Sequence, residues 1–247
     1  LFGTLVDAPS EAAVTATNDS ARELASEVES QGAILLANDG TLPLSADVTK
    51  VNVFGWASVD WLGGGSGSGC VTSVETDLIS ALNDAGIETN TELTGMYRGF
   101  RAAGKRPKTL SSKPEESSVL YEPSITDREC YAEELLQDAL DFSDTAIVVL
   151  QRYSGESNDM PLEQYKVSEK GGPVVTDATR TALDLSTEEE SLLAYVGSTF
   201  KNAIVIVNSA NAMALGALES TPGIDAVLLA GYTGQYGAEA LPKILRG

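Results

Sequence analysis

Short apolar runs alternate along the chain with stretches in which apolar residues recur every three or four positions. The runs predict buried strands, and the helical spacing predicts amphipathic helices between them. The sequence predicts four clear strands, at 48–54, 144–151, 203–208 and 224–230, and a short strand that begins at Ile87. It predicts helices at 20–37, 74–85, 129–141, 186–199, 211–218 and 236–246, the first opened by a Ser20–Glu23 capping box.

Strands that alternate with helices are typical of parallel βαβ units, in which helices cover both faces of the sheet. We therefore predict an α/β fold, a three-layer αβα sandwich with a mostly parallel sheet, as one domain over residues 1–247. Residues 1–17 are expected to form an irregular lead-in, and 96–118 and 152–186 to be long polar segments. Ligands of such folds bind beyond the carboxyl ends of the strands, which are followed here by loops near 55–69, 152–159, 208–211 and 231–237.

A glycine-rich loop at 63–69 follows the first of these strands. No register of it gives the G-x-G-x-x-G spacing, and no lysine follows as a P-loop requires, which disfavours a flavodoxin-like nucleotide site. We interpret it as a flexible loop that lets the backbone approach another group closely. Trp56 and Trp61 precede the loop, where they can equally stack on a sugar ring or pack in the core.

A candidate acid, Glu156, follows the most apolar strand. A carboxyl group at the mouth of a sheet can act as a general acid when burial raises its pKa, whereas an arbitrary loop glutamate is normally solvated. Its placement alone favours the solvated state. The next strand is followed by polar residues that can bind sugar hydroxyls or, as we favour, cap the short helix after them: Asn208, Ser209 and Asn211.

The balance of charge excludes some partners. The 247 residues include 36 acidic and 16 basic side chains, for a formal net charge of −20. Nucleic acids and anionic membranes attract basic surfaces, so neither is expected as a partner. The apolar runs are strand-sized, far short of the ~20 residues that cross a bilayer. No signal peptide is recognised, which favours the cytoplasm over secretion; because the chain starts at Leu1 rather than Met, a missing native N-terminus stays open.

Histidine is absent, and Cys70 and Cys130 are the two cysteines. A Ser-His-Asp triad, a Cys-His pair and a His-ligated metal site therefore cannot be built from this chain alone. Two thiols are too few for a Cys-rich metal site. We expect no metal, and we favour free thiols over a disulfide.

Several segments, each weak alone, occur in an order that is specific when they are taken together. They resemble the non-barrel α/β-sandwich domain of glycoside hydrolase family 3, and the resemblance spans about residues 20–247. The segments are GAILLANDGTLPLS (32–45), VNVFG (51–55), GGGSGSG (63–69), IVVLQRYSGESND (147–159), IVIVNSANAM (204–213) and DAVLLAGYTGQYGAEALPKILRG (225–247).

The resemblance implies a part of a retaining, exo-acting β-glycosidase, with β-glucosidase as the first expectation and a β-glucoside or oligosaccharide as substrate. Retention uses a nucleophilic carboxylate and an acid/base carboxylate. In this family the nucleophile is an aspartate on a separate (β/α)8 barrel, and the sandwich domain commonly supplies the acid/base in a loop similar to S-G-E-G-x-D-R. The segment 154–159, SGESND, is similar to that loop and places Glu156 at the acid/base position.

The resemblance also implies that no cofactor is needed and that the substrate mouth is shaped by Trp56, Trp61, Gly65, Ser66, Gly67, Arg152, Ser154 and Asp159. Two positions depart from the family loop: Ser157 replaces a glycine, and Met160 stands where arginine is common, so Asp159 lacks its usual partner. No eightfold βα pattern is present, so we expect a domain of a larger enzyme, with the barrel before or after it, that is inactive alone. The alternative is a non-catalytic module that binds carbohydrate or packs on another domain.

Overall fold

A mostly parallel sheet forms the centre of the computed structural model, which describes residues 9–102, 120–156, 159–167 and 173–247. The strands within these residues are β1 (Ile34–Asn38), β2 (Lys50–Phe54), β3 (Glu88–Thr89), β4 (Thr145–Arg152), β5 (Gln164–Val167), β6 (Pro173–Asp177), β7 (Asn202–Ser209) and β8 (Ala226–Leu229). Six of them form one sheet in the order β1-β8-β7-β4-β2-β3, and β5 and β6 form a separate antiparallel pair. In the large sheet only β1 is antiparallel to its neighbour.

The two central strands, β4 and β7, define the core. All eight residues of β4 are buried, and they pair in register with β7 from Thr145 opposite Asn202 to Arg152 opposite Ser209. An uninterrupted apolar, β-branched run is what burial on both faces requires. The predicted α/β class and parallel sheet are therefore confirmed, and the carboxyl ends of these strands meet at one edge of the sheet.

Helices cover both faces of the sheet. They are α1 (Glu11–Gly32), α2 (Leu78–Asp84), α3 (Thr91–Ala102), α4 (Glu133–Phe142), α5 (Thr187–Thr199), α6 (Gly216–Ser220) and α7 (Leu241–Arg246). α1 and α2 each pack on α7 and on the short 3-10 turn Gly237–Ala240. On the opposite face Asn52 of β2 donates to the carbonyl of Ala139 in α4, and the ring of Phe54 meets that of Tyr195 in α5 edge-on. No helix in the described part of the chain is both long and apolar enough to cross a bilayer.

The start of the chain differs from the prediction. α1 begins at Glu11, so the irregular lead-in expected over 1–17 is wrong from that residue onward. Ser10 caps the helix by accepting from the amide of Ala13 at 3.2 Å, and the alanine-rich first turns favour helix without a hydrophobic period. The predicted capping box at 20–23 lies inside α1. The helix ends at Gly32 rather than near 37, because strand β1 follows at once, and residues 1–8 lie outside the described residues.

Three further segments differ from the prediction: two predicted as polar segments contain regular structure, and one predicted helix starts later. The polar excursion expected over 96–118 starts inside α3, where Tyr97 is fully buried; 103–119 lie outside the described residues. The polar stretch 152–186 contains the β5–β6 hairpin. The helix expected over 211–218 begins only at Gly216. Short strands and helices offer too few periods for sequence patterns to define them.

A buried carboxyl group lies between α1 and the turn at Gly237–Ala240. Glu29 is 8 % exposed, and its Oε1 has no hydrogen-bond partner within the described residues. The close approach of Gly237 leaves little room beside it, since a Cβ built on that glycine would lie 3.5 Å from the Cβ of Glu29. Burial disfavours the charged form and raises the pKa of Glu29 from 4.5 to about 7.

Removal of this charge is expected to stabilise the fold in a pH-dependent way. The folded state holds the Glu29 proton more tightly than the unfolded state, so stability falls as pH rises from about 4.5 to about 7. Glu29→Gln should therefore increase the free energy of unfolding at pH 8 by roughly 1–3 kcal/mol and have little effect at pH 4. Urea titrations at both pH values check this, with exposed Glu23→Gln as the control; an equal effect at both pH values contradicts it.

Candidate functional site

The loops at the carboxyl edge of the sheet are tied together by a buried amide. Asn208, at the end of β7, accepts from the amide of Leu62 at 2.7 Å and donates to the carbonyls of Leu62 and Gly231 at 2.9 and 2.7 Å. Its side chain is fully buried. The interpretation of Asn208 as a helix cap is therefore wrong, as is its use for sugar hydroxyls: its amide group joins the loop after β2 to the loop after β8.

Ser154 and its neighbours are held in the same way. The hydroxyl of Ser154 lies 2.8 Å from Oδ1 of Asn211, and its backbone amide donates to the hydroxyl of Tyr232 at 2.9 Å. Ser209 accepts from the amide of Asn211 at 3.0 Å, so these two residues stabilise the loop rather than the helix that follows it. The loop after β4 is thus fixed by the loops after β7 and β8.

The glycine-rich loop packs directly on the loop after β4. Ser66 and Gly155 form a parallel β-bridge. A Cβ on Gly155 would overlap the amide nitrogen of Ser66, and a Cβ on Gly65 would overlap the carbonyl oxygen of Ser154. The predicted use of glycine for close backbone approach is confirmed at Gly65, where the group approached is the loop that carries Glu156.

The carboxylate of Glu156 rests on this glycine loop. Its Oε2 accepts from the backbone amide of Ser68 at 2.8 Å and from the Ser68 hydroxyl at 2.7 Å. Gly67 lies directly beneath with φ of +65°, and a Cβ there would overlap the carboxylate. Glu156 is exposed, and the two Ser68 donors hold its pKa below the ordinary value of 4.5. The effect of desolvation, which acts in the opposite direction, is smaller than that of the two donors, so the carboxyl group is ionised at neutral pH.

Arg152 lies at the carboxyl end of β4 but faces inward. It is 2 % exposed, and its guanidinium forms a forked pair with the carboxylate of Glu189, both oxygens at 2.7 Å. Its other N–H groups donate to three backbone carbonyls: Gln151, Ala182 and Asp184. All five donors are therefore used, and the prediction that Arg152 contacts substrate does not agree with this placement.

The two tryptophans that flank the start of the glycine loop lie in the core. Trp56 is 9 % exposed and meets the ring of Tyr121 edge-on at 4.9 Å. Trp61 is 6 % exposed, and its indole N–H donates to the hydroxyl of Thr233 at 2.8 Å. The sequence left sugar stacking and core packing open for these two rings, and in the structure both rings pack in the core.

A buried network behind Trp56 has no signal in the sequence pattern. Glu122 accepts from the amide of Trp56 at 2.9 Å and from the hydroxyl of Tyr131 at 2.8 Å. The Tyr131 hydroxyl is bonded in turn to that of Tyr97, which accepts from the amide of Gly55 at 2.7 Å. Burial raises the pKa of Glu122 to about 8. The network fixes the turn after β2, so its role here is structural.

The remaining candidates make no side-chain contact with the Glu156 carboxylate among the described residues. Asp159 is exposed and follows residues 157 and 158, which lie outside the described part. Cys70 is exposed and Cys130 is buried, and no disulfide joins them, as expected. Among the described residues no group of three or more Cys, Asp or Glu side chains is placed to hold a metal ion. At this edge the glycine-rich loop offers the chemistry of the Glu156 carboxylate, held by the hydroxyl and amide donors of Ser68.

A carboxylate-bearing loop at the carboxyl edge of a mostly parallel α/β sandwich fits the family that the sequence resembles. The model of the glycosyl hydrolase family 3 C-terminal domain matches residues 33–247, so the chain belongs to this family. It is 27 % identical over 230 residues to a β-glucosidase of Ruminococcus albus and 27 % identical over 238 residues to β-glucosidase A of Butyrivibrio fibrisolvens. These alignments cover 91 % of this chain but 21 % and 27 % of the two relatives.

Solved structures show the same fold. A β-glucosidase from Paenibacillus barengoltzii matches 99 % of the chain with a TM-score of 0.71 and 23 % identity, over 24 % of its own length. β-Glucosidase 3B from Thermotoga neapolitana, in complex with glucose, matches 93 % with a TM-score of 0.68 and 21 % identity, over 29 % of its length. The chain thus spans about a quarter of these proteins.

Proposed function

We propose that this chain is a domain of a retaining, exo-acting β-glycosidase, in the first place a β-glucosidase, and that Glu156 is its acid/base residue. The observation that carries the proposal is the position of the Glu156 carboxylate. It lies at the carboxyl edge of the sheet, on a loop held by the glycine-rich segment, in a chain that belongs to glycosyl hydrolase family 3. The nucleophile and most of the sugar pocket would come from a (β/α)8 barrel.

The proposed reaction has two steps. The nucleophilic carboxylate attacks the anomeric carbon while the Glu156 carboxyl group gives its proton to the departing glycosidic oxygen. Water then attacks the glycosyl-enzyme, and the Glu156 carboxylate takes the proton from that water. The two carboxyl groups of a retaining enzyme lie about 5 Å apart, so the barrel must approach the Glu156 loop closely.

Docking of a barrel would also raise the pKa of Glu156, which is too low in the isolated domain for a general acid. An exposed Glu156 with a lowered pKa is ready to accept a proton but holds none at neutral pH. The first step requires the protonated form. Contact with a barrel and a bound sugar would remove water and bring a second carboxylate near, and both effects raise a carboxyl pKa.

The groups around Glu156 would then form one side of the substrate mouth. Gly65, Ser66, Gly67 and Ser154 define the backbone beside it, and Asp159 lies a few residues further on. Arg152 would act indirectly, by holding the end of β4 from which the loop starts. The buried rings of Trp56 and Trp61 would support this wall from below.

A second candidate function is a non-catalytic module that binds carbohydrate or packs on another domain. The exposed, ionised state of Glu156 favours it, since a solvated loop glutamate has the same properties. The two functions differ in what happens to Glu156 when the rest of the polypeptide is present: the acid/base role requires its pKa to rise, and the module role does not.

A comparison of the 247-residue chain with the full polypeptide that carries it tests the proposal. The full polypeptide should hydrolyse an aryl β-glucoside with net retention, seen as the β-anomer forming first in ¹H NMR. The isolated chain should give no turnover above background, because one carboxylate cannot complete the double displacement. The matching aryl β-xyloside tests the preference for glucose, and we expect it to be hydrolysed more slowly than the β-glucoside. Inversion by the full polypeptide, or clear turnover by the isolated chain, would contradict the proposal.

A further inference from the structure

The Glu156 carboxylate is held by one residue through two donors. The backbone amide and the hydroxyl of Ser68 both point at Oε2, at 2.8 and 2.7 Å. Among the described residues the other oxygen, Oε1, makes no hydrogen bond. The geometry points to Ser68 as a positioning residue that fixes the orientation of the Glu156 carboxyl group and leaves Oε1 as the oxygen that carries the transferable proton. This inference rests on the proposed acid/base role of Glu156.

The shape of the glycine loop explains why Ser68 can reach the carboxylate. Residues Gly67–Gly69 form a 3-10 turn, closed by a bond from the amide of Cys70 to the carbonyl of Gly67 at 3.1 Å. Gly67 has φ of +65°, a region that L side chains rarely adopt, and its missing Cβ leaves the space that the carboxylate occupies. The turn therefore presents its amide and hydroxyl donors on the side where Glu156 lies.

The same turn also holds the main chain of the candidate acid. Ser66 forms the β-bridge to Gly155, and its hydroxyl donates to the carbonyl of Glu156 at 3.1 Å. Ser66 thus fixes the backbone of Glu156 and Ser68 fixes its side chain. Because both the backbone and the side chain of Glu156 are held, its carboxylate loses little conformational freedom when a sugar binds. Precise proton transfer needs such a fixed position.

Occupation of one oxygen has a chemical consequence. Two donors on Oε2 oppose a proton there, so the neutral carboxyl group carries its proton on Oε1. In the first step the Oε1–H bond breaks as the proton moves to the glycosidic oxygen and the glycosidic C–O bond opens. In the second step Oε1 regains a proton from the attacking water. Ser68 would keep its bonds to Oε2 throughout, and it would favour the ionised form of Glu156.

The test is Ser68→Ala in the full polypeptide, with a disaccharide as substrate. Loss of the hydroxyl removes a donor that favours the charged carboxylate, so the general acid stays protonated to higher pH. The basic limb of the kcat/KM profile should move to higher pH, and the rate at the optimum should fall about tenfold, the usual order for one hydrogen bond to a charged group. Ser68→Thr keeps the hydroxyl and should restore both.

Two further variants sharpen the result. Gly67→Ala should displace the carboxylate and lower the disaccharide rate at least as much, because its Cβ overlaps Glu156. Cys70→Ala, on the same turn and exposed, should leave rate and profile unchanged. An unmoved basic limb with an unchanged rate in Ser68→Ala overturns the inference.

The failure of this inference can be told apart from that of the proposed function. Suppose that Glu156→Ala lowers the disaccharide rate, while Ser68→Ala changes neither that rate nor the basic limb of the kcat/KM profile. Then only the role of Ser68 is wrong. If Glu156→Ala itself leaves the rate intact, the proposed acid/base role is wrong and the catalytic role of Ser68 is wrong with it. ¹³C NMR titration of Glu156, in which Ser68→Ala should raise the carboxyl pKa, then still shows whether the contact exists in solution.

Discussion

Glu156→Ala in the full polypeptide is expected to lower turnover of a disaccharide by about 10²- to 10⁴-fold, the range that a positioned general acid contributes. The departing sugar is a poor leaving group that needs a proton. Among the described residues, Glu156 supplies the carboxyl group that lies on the Gly67–Gly69 turn, and its removal takes away the proposed donor of the proton to the glycosidic oxygen. The measurement is kcat/KM on the disaccharide at the pH optimum.

The substrate dependence of this loss separates a catalytic role from damage to the fold. An aryl glucoside with an acidic phenol leaves without protonation, so its first step should suffer far less. Azide should restore turnover by attacking the glycosyl-enzyme without a general base, giving a β-glycosyl azide of retained configuration. Glu129→Ala, at an exposed loop glutamate, is the control and should behave like wild type. Equal losses on both substrates with no azide rescue would contradict the assignment.

Arg152→Met is expected to lower the free energy of unfolding of the chain by about 3–5 kcal/mol, as is usual when one partner of a buried ion pair is removed. The Glu189 carboxylate, 6 % exposed, would remain in the interior without its cation. The carbonyls of Gln151, Ala182 and Asp184 would each also lose the donor that Arg152 supplies. Urea unfolding followed by circular dichroism measures the loss.

A second substitution tests the cause of this instability. Arg152→Met combined with Glu189→Leu removes both charges and should recover part of the loss, because the unpaired carboxylate is the larger penalty. Lys201→Met is the matched control, since its contact with Asp144 is 4.0 Å long and exposed, and it should change stability by less than about 1 kcal/mol. A double variant no more stable than Arg152→Met alone would show that the carbonyl contacts dominate.

The central strands were predictable because their burial is complete. A run such as AIVVL in β4 has one physical use, burial on both faces of a parallel sheet, and the alternation with helices then fixes the class of fold. The start of α1 was not predictable in this way. Its first turns gain their helical tendency from alanine, which leaves no hydrophobic period to recognise.

The candidate site also contains some features that the sequence predicts and others that it does not. The glycine loop and the SGE segment could be located from the sequence, since close backbone approach requires glycine and the loop follows a buried strand. The direction in which a side chain points could not be predicted from the sequence. Arg152 turns inward to Glu189, 37 residues further along the chain, and Glu122 reaches the turn after β2 from a segment 66 residues beyond Trp56. Such pairings arise from the folded topology and leave no local pattern.

The β-bridge between Ser66 and Gly155 bears on how this domain can be joined to other domains. Because Glu156, its backbone support and its Ser68 donors all belong to one domain, the group travels as a unit when that domain is exchanged for another. Under the proposed function, a chimera that joins this domain to a foreign barrel would inherit the proton donor with its immediate surroundings intact. What the chimera must rebuild is the spacing between two carboxylates, a property of the junction rather than of either half.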